Sequence, residues 1–147
     1  CFGKETVATQ LDFFDSTVIE NKLHEGNGGV LRFENIGYVN DRPIDFVVKV
    51  IEGTTYSSTK ASIRNGKHAD GGFGQINIEE LQFNEGSNGE GNFEFCLYDH
   101  ENRDQLVTAE SFRFSMYDVD ERNAVADGIK EKITMDATQI EDFILYP

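Results

Sequence analysis

The chain has 147 residues and a formal net charge of −14 at pH 7, because 27 acidic residues face 13 basic ones. This charge argues against nucleic acid and anionic membrane surfaces as partners, since both attract surfaces rich in Lys and Arg. No apolar run approaches the ~20 residues of a membrane-spanning helix, so we predict no transmembrane segment. Twelve Phe and five Tyr, with no Trp, favour strands over helices.

The first predicted strand lies near the N-terminus, over residues 6–14. Apolar and hydroxyl side chains alternate there with polar ones, and the alternating set is Val7, Thr9, Leu11 and Phe13. Residues 15–29 are mostly polar and predict a loop, with a short helical turn near residues 19–23. A second strand begins at Leu31 and continues irregularly to Val39.

Residues 40–43, Asn-Asp-Arg-Pro, predict a turn by composition. Residues 44–50 follow as a strand that is apolar on most of both faces, which is typical of a central strand. The pair Asn65-Gly66 predicts a hairpin, and residues 73–83 resume strand character. Two further strands are predicted over residues 129–135 and 140–146.

Two near-copies in the second half of the chain give the strongest pattern. Residues 93–103 read FEFCLYDHENR and residues 112–122 read FRFSMYDVDER. Each copy has an apolar residue at every second position and then turns acidic, as a half-buried strand does when it runs into an acidic loop.

These elements predict an all-β fold, an antiparallel β-sandwich of jelly-roll or C2-like type with about eight to ten strands. The length fits one domain over residues 1–147, with residues 1–14 as a candidate assembly strand. No linker or low-complexity tract interrupts the chain.

The acidic strand ends are candidate Ca²⁺ ligands, because Ca²⁺ takes ~6–8 oxygen ligands, mostly carboxylates and carbonyls. If the two matched strands share an orientation, their acids emerge at one end of the sheet. The candidate ligands are Asp99, Glu101, Asp104, Asp118, Asp120 and Asp127. Solvated carboxylates that cap turns are the alternative interpretation.

Residues 112–122, followed by residues 128–135, resemble the C2-domain pattern, in which a strand ends in Tyr-Asp-x-Asp and a loop leads to the next strand. The resemblance implies that Asp118 and Asp120 coordinate Ca²⁺ and that the module binds lipid or carbohydrate. Residues 12–16, 29–36 and 112–122 are also similar to acidic β-modules of secreted or surface proteins of algae and other protists. That likeness implies an extracellular or cell-surface location.

No catalytic motif is present, so we predict that the chain is not an enzyme; an unrecognised carbohydrate-active enzyme is the third alternative. Its general base would be one of three loop histidines, His24, His68 and His100. Sugar rings could stack on four tyrosines, Tyr38, Tyr56, Tyr98 and Tyr117, but packing in the core or at a sheet edge is the favoured interpretation of these residues. The hydroxyl-rich residues 54–59 are a candidate for O-linked sugar, which would make the chain a glycoprotein.

The two cysteines allow one pairing, Cys1 with Cys96, if the chain is secreted. The alternative is that Cys96 is a small buried residue on the second face of its strand. Structural zinc is not predicted, because the sequence has no C-x-x-C and no Cys/His cluster.

The first functional hypothesis is an extracellular structural or adhesion module that assembles head to tail into a filament. Its N-terminal strand would insert Val7, Thr9, Leu11 and Phe13 into a neighbouring copy. An ordinary first strand within its own sandwich is the alternative. The expected partners are the chain itself, other surface proteins or glycans.

Overall fold

The computed structural model describes residues 11–54, 56, 58, 60–78, 91–109, 115–116 and 133–135. The chain divides into two compact units, Cys1–Arg113 and Phe114–Pro147. In the second unit, residues 115–116 and 133–135 are exposed and lie outside regular secondary structure. The single domain expected over residues 1–147 stays a prediction.

In the described part of the first unit the regular structure is mostly strand, which confirms the all-β prediction. The strands are β1 (Thr17–Asn21), β2 (Val30–Val39), β3 (Arg42–Val50), β4 (Gly66–Lys67), β5 (Gly74–Gln75) and β6 (Phe93–Asp99). The helical segments are a 3₁₀ turn, Leu23–Glu25, and α1, Ala61–Arg64. The larger sheet is antiparallel in the order β1-β2-β3-β6, and β4 pairs with β5 in a smaller one. A sandwich of eight to ten strands stays a prediction.

The predicted central strand is confirmed, because β3 pairs with β2 on one side and with β6 on the other. Residues 44–48 are all buried, so both faces of the strand are covered there. In register, Phe33 of β2 lies opposite Phe46, and Phe46 lies opposite Leu97 of β6. Apolar β-branched and aromatic residues favour this pleated environment.

The predicted turn between β2 and β3 is confirmed at Asn40 and Asp41. Both residues adopt left-handed backbone conformations, with φ of 50° and 63°. Asn and Asp tolerate this region better than other side chains, and two such residues in succession suit a tight hairpin.

Two local predictions were wrong. Residues 17–21 form strand β1 rather than loop, because they pair with β2 and Val18 packs against the core. The hairpin signal at Asn65-Gly66 does not mark a turn tip; Gly66 begins β4, and residues 68–73 connect β4 to β5. In both places long-range pairing decided the structure over local composition.

Within the described ranges, no helix is long and apolar enough to span a membrane.

Candidate functional site

The acidic loop after β6 is organised by Asp99. Its Oδ1 accepts hydrogen bonds from the backbone N–H groups of Glu101 (2.9 Å) and Asn102 (2.8 Å), and the residue is buried. One oxygen of this predicted Ca²⁺ ligand therefore stabilises the turn, while Glu101 and Asp104 are exposed. The remaining predicted ligands, Asp118, Asp120 and Asp127, lie outside the described residues. In the described part of the chain, no three His, Cys, Asp or Glu side chains are grouped to hold a metal ion.

The N-terminal segment lies against its own sheet at residues 11–13. Leu11 forms an antiparallel bridge with Gly37, and the N–H of Asp12 donates to the carbonyl of Ile36 (2.6 Å). Leu11 and Phe13 are partly buried against the core. The other two predicted assembly residues, Val7 and Thr9, lie outside the described residues.

The ring of Phe13 fills a socket on the inner face of the sheet. It meets the rings of Phe33 and Phe46 edge-on, with centroids 5.0 Å and 5.9 Å away. A Cβ placed on Gly74 would come within 2.7 Å of the Phe13 ring. The absence of a side chain at Gly74 therefore makes room for Phe13, and the neighbouring Phe14 is 65% exposed.

The predicted sugar-stacking tyrosines occupy different environments. Tyr38 is 67% exposed, whereas Tyr56 and Tyr98 are buried and Tyr117 lies outside the described residues. The ring of Tyr56 meets Phe93 edge-on with centroids 5.2 Å apart, and its hydroxyl donates to the backbone carbonyl of Asn77 (2.6 Å), so this ring belongs to the core. Only Tyr38 among the described tyrosines offers an open ring.

Cys96 is half-buried on the second face of β6, and no disulfide joins it to another described residue. Burial raises the pKa of the Cys96 thiol, and the neighbouring Glu94 carboxylate raises it further. The thiol is therefore protonated and weakly nucleophilic at neutral pH. Cys1 lies outside the described residues, so its pairing with Cys96 stays a prediction.

The outer face of the larger sheet, opposite the apolar core, carries a buried carboxylate. Asp45 has no exposed surface, and its two oxygens have three partners. Oδ2 accepts a hydrogen bond from Nη1 of Arg32 (3.2 Å), and Oδ1 accepts one from the backbone N–H of Asn35 (3.1 Å). Oδ1 also lies 2.9 Å from Nδ1 of His100. A buried carboxylate needs such partners, because desolvation without them is expensive.

Cations and an aromatic ring extend this network along the outer face. The guanidinium of Arg32 lies 5.2 Å from the ring centroid of Tyr98, and the ammonium of Lys49 lies 4.7 Å from it. The ammonium of Lys49 also donates to the hydroxyl of Tyr98, and this hydrogen bond raises the pKa of Lys49. Arg32 is thereby held between a carboxylate and a ring face, which fixes the plane of its guanidinium.

A second ion pair joins β2 to the loop after β6. Nη2 of Arg103 lies 2.6 Å from Oε1 of Glu34, and Nη2 of Arg32 donates to the backbone carbonyl of Arg103 (3.2 Å). The Arg103 side chain is 55% exposed. Exposed pairs of this kind contribute ~0–1 kcal/mol, so the pair positions Arg103 more than it stabilises the fold.

An open groove of about 470 Å³ runs beside the two arginines. It is lined by Ile19, Glu20, Asn21, Lys22, Arg32 and Arg103. Three of these six side chains are cationic and one is acidic, and each cation lies beside a carboxylate: Lys22 beside Glu20, Arg32 beside Asp45 and Arg103 beside Glu34. The groove therefore brings three basic side chains together, with their charges balanced by neighbouring carboxylates.

The outer-face site was not predicted from the sequence. His100 was a candidate base, but Asp45, Arg32, Glu34 and Arg103 were not singled out. One signal was available: Asp45 is an acid inside a predicted central strand, and such an acid requires a cationic partner. Alternation along β2 places Arg32 on the face opposite Leu31 and Phe33, so Arg32 was a candidate for that cationic partner.

Comparison with protein families, with curated proteins and with solved structures finds no match to this chain.

Proposed function

We propose that this chain is an extracellular structural or adhesion module that associates head to tail through its N-terminal strand. The observation that carries the proposal is the Phe13 socket, formed by Phe33, Phe46 and Gly74. A socket shaped for one side chain of a terminal segment can accept that segment from the same copy or from a neighbour. Exchange of an identical element between copies is a low-cost route to assembly.

The turn that follows the segment supports such an exchange. Two of its hydrogen bonds are local: the Asp12 carboxylate accepts from the N–H of Phe14 (2.8 Å), and the Ser16 hydroxyl donates to the Phe13 carbonyl (2.8 Å). Lys67 joins the turn to β4 through the carbonyls of Phe14 and Ser16. Release of Leu11 and Phe13 breaks the bridge to Gly37 and the Asp12–Ile36 hydrogen bond but leaves the pairing of β1, β2, β3 and β6 in place, so residues 14–16 are the proposed hinge.

The proposal includes a complete antiparallel sandwich around the same core. The inner face of the larger sheet buries Leu31, Phe33, Phe46 and Val48. Partly buried side chains from several segments pack against this cluster, and they include Phe13, Ile76, Val107 and Ala109. A second layer over this face would complete the burial that the apolar surface requires.

The assembly test compares two neighbouring phenylalanines. Light scattering and negative-stain imaging of the purified full chain should detect oligomers or filaments for the wild type. Phe13→Ala should abolish them, whereas Phe14→Ala should not, because Phe14 is exposed. Circular dichroism checks that both variants stay folded. A wild-type monomer at every concentration, or equal loss in both variants, would contradict the proposal.

Calcium is proposed as a stabiliser of the acidic loop end. Glu101 and Asp104 are exposed beside the turn that Asp99 organises, so their carboxylates are accessible to a cation. The double substitution Asp118→Asn with Asp120→Asn should lower the melting temperature in Ca²⁺ but not in chelator. Asp99→Ala should destabilise by ~1 kcal/mol in both, since it removes a turn-capping oxygen. Equal losses for the double variant in both conditions would remove calcium from the proposal.

A further inference from the structure

The cationic groove on the outer face is independent of the N-terminal socket. Side chains of a strand alternate between faces, so Arg32 and Phe33 point to opposite sides of β2. Phe33 contacts Phe13 in the socket, while Arg32 lines the groove. Occupation of the groove therefore does not require any change in assembly.

Two of the three cations in the groove are already oriented by the protein. Arg32 is held by Asp45, by the backbone carbonyl of Arg103 and by the Tyr98 ring, and only 13% of its side chain is exposed. Arg103 is held by Glu34 through Nη2. Among the described residues, Nε and Nη1 of Arg103 have no hydrogen-bond partner. A guanidinium that is already held in place and still has unpaired N–H donors loses little conformational entropy when it binds an oxyanion.

The third cation, Lys22, is held loosely. Its ammonium lies 3.3 Å from Oε1 of Glu20, and both side chains are substantially exposed. Exposed pairs are weak, so a ligand anion can displace the Glu20 carboxylate from Lys22. The freed Glu20 can then accept a hydrogen bond from a ligand hydroxyl.

The other walls of the groove fit a sugar rather than a bare anion. Ile19 is partly exposed and offers an aliphatic surface. Nδ2 of Asn21 donates to the carbonyl of Asn65 (2.9 Å), which fixes the amide, and its Oδ1 is buried without a hydrogen-bond partner in the described part of the chain, so the acceptor that remains for a ligand hydroxyl is Glu20. An acidic monosaccharide combines an anion with hydroxyls and an apolar C–H face. The groove volume also falls within the ~300–1,000 Å³ of small-molecule sites.

We propose that this groove binds an acidic saccharide. Arg32, Arg103 and Lys22 hold its carboxylate or sulfate ester, and Ile19 packs on the sugar ring. Arginine suits both anions, because its planar fork donates two parallel hydrogen bonds. The two sources of the anion, a uronic acid and a sulfated sugar, share this chemistry.

The test measures binding of three fluorescent oligosaccharides to the full chain by anisotropy: an oligogalacturonate, a sulfated galactan oligomer and a neutral cello-oligosaccharide. Arg103→Gln and Lys22→Gln should each weaken binding of an acidic probe about tenfold, the loss expected for one charge-assisted hydrogen bond. Arg103→Lys should retain part of the affinity, because it keeps the charge but loses the fork. The matched control is Arg42→Gln, which removes one charge at the exposed β2–β3 hairpin from a residue that does not line the groove.

Binding of either acidic probe with these losses, and unchanged binding in Arg42→Gln, supports the proposal; which probe binds identifies the anion. Equal losses in all the Gln variants would show a general charge effect and overturn it. So would failure of both acidic probes, or equal affinity for the neutral probe. If a groove variant does not fold, the test follows the amide chemical shifts of the wild type as an acidic probe is added. Changes confined to Ile19–Lys22 and Arg103 support the site, and changes elsewhere overturn it.

Discussion

The two faces of strand β3 are held by opposite kinds of interaction. On the inner face, Phe46 and Val48 pack against aromatic and aliphatic side chains, with no polar group to satisfy. On the outer face, Asp45 is equally buried but depends on three separate donors. Apolar packing tolerates changes of shape that conserve volume, whereas a buried carboxylate tolerates no missing partner. The inner face of β3 therefore tolerates substitutions that conserve volume, whereas the outer face requires that Asp45 keep all of its partners.

Single substitutions should affect the two faces to a similar degree. Asp45→Ala should cost ~3–5 kcal/mol, because it leaves the Arg32 charge without its buried partner. Phe33→Ala should cost about the same, since it removes a large core side chain and leaves a cavity. Urea unfolding monitored by circular dichroism measures both free energies.

Double substitutions should destabilise the two faces to different degrees. Asp45→Leu combined with Arg32→Met should be less destabilised than Asp45→Ala, because apolar residues of similar size can replace a buried ion pair. Phe33→Ala combined with Phe46→Ala should be worse than either single change, since each removes further apolar contact. If the Asp45→Leu/Arg32→Met variant lost as much free energy of unfolding as the sum of the two single substitutions, apolar residues could not replace this buried ion pair, and the prediction would be wrong.

The tightness of the inner face can be tested at Gly74. An added methyl group would lie 2.7 Å from the Phe13 ring and 3.1 Å from Phe33, so Gly74→Ala should cost ~1–3 kcal/mol by overpacking. Gly72→Ala is the matched control, because nothing lies within 4 Å of its Cβ position. Phe13→Leu in the Gly74→Ala background should recover part of the loss. Equal melting temperatures for the two alanine variants would contradict the Phe13 socket.

The smallest expected effect concerns Lys49 on the outer face. Its hydrogen bond to Tyr98 raises the pKa of the ammonium above the ordinary 10.5, so folding favours the protonated form. The resulting stability is fully present below the unfolded pKa and is lost as pH rises through the folded pKa. The free energy of unfolding of the wild type should therefore exceed that of Lys49→Met modestly at pH 8, and the difference should shrink above about pH 10.5. A difference that stays constant to pH 11.5 would contradict this linkage.

The strands that were predicted from the sequence are those in which the spacing of apolar residues follows the pattern of buried positions. β2, β3 and β6 were found because apolar residues recur at every second position, and the central place of β3 followed from its two apolar faces. β1 was missed because it contains Glu20 and Asn21 and its register slips between Val18 and Glu20. β4 and β5 have two residues each, too few to show any period.

The outer-face site was harder to predict, because its members lie far apart in sequence. Asp45 meets Arg32 across 13 positions and His100 across 55. Hydrophobic period reveals which face of a strand is buried, but not which strands are neighbours. The partners of a buried acid become definite only once the order β1-β2-β3-β6 is known.

The register of β2 and β3 slips between two well-paired regions. From Phe33 to Gly37 strand β2 advances four positions, while β3 advances only two, from Phe46 to Ile44. The surplus is an even number, so Phe33 and Val39 stay on one face although Asn35 and Ile36 interrupt the ladder. Deleting one of these two residues would leave a bulge of one residue, like the slip between Val18 and Glu20 in β1. Such a bulge bends the strand and increases its twist, so the length of β2 at this point sets the angle between its two well-paired halves.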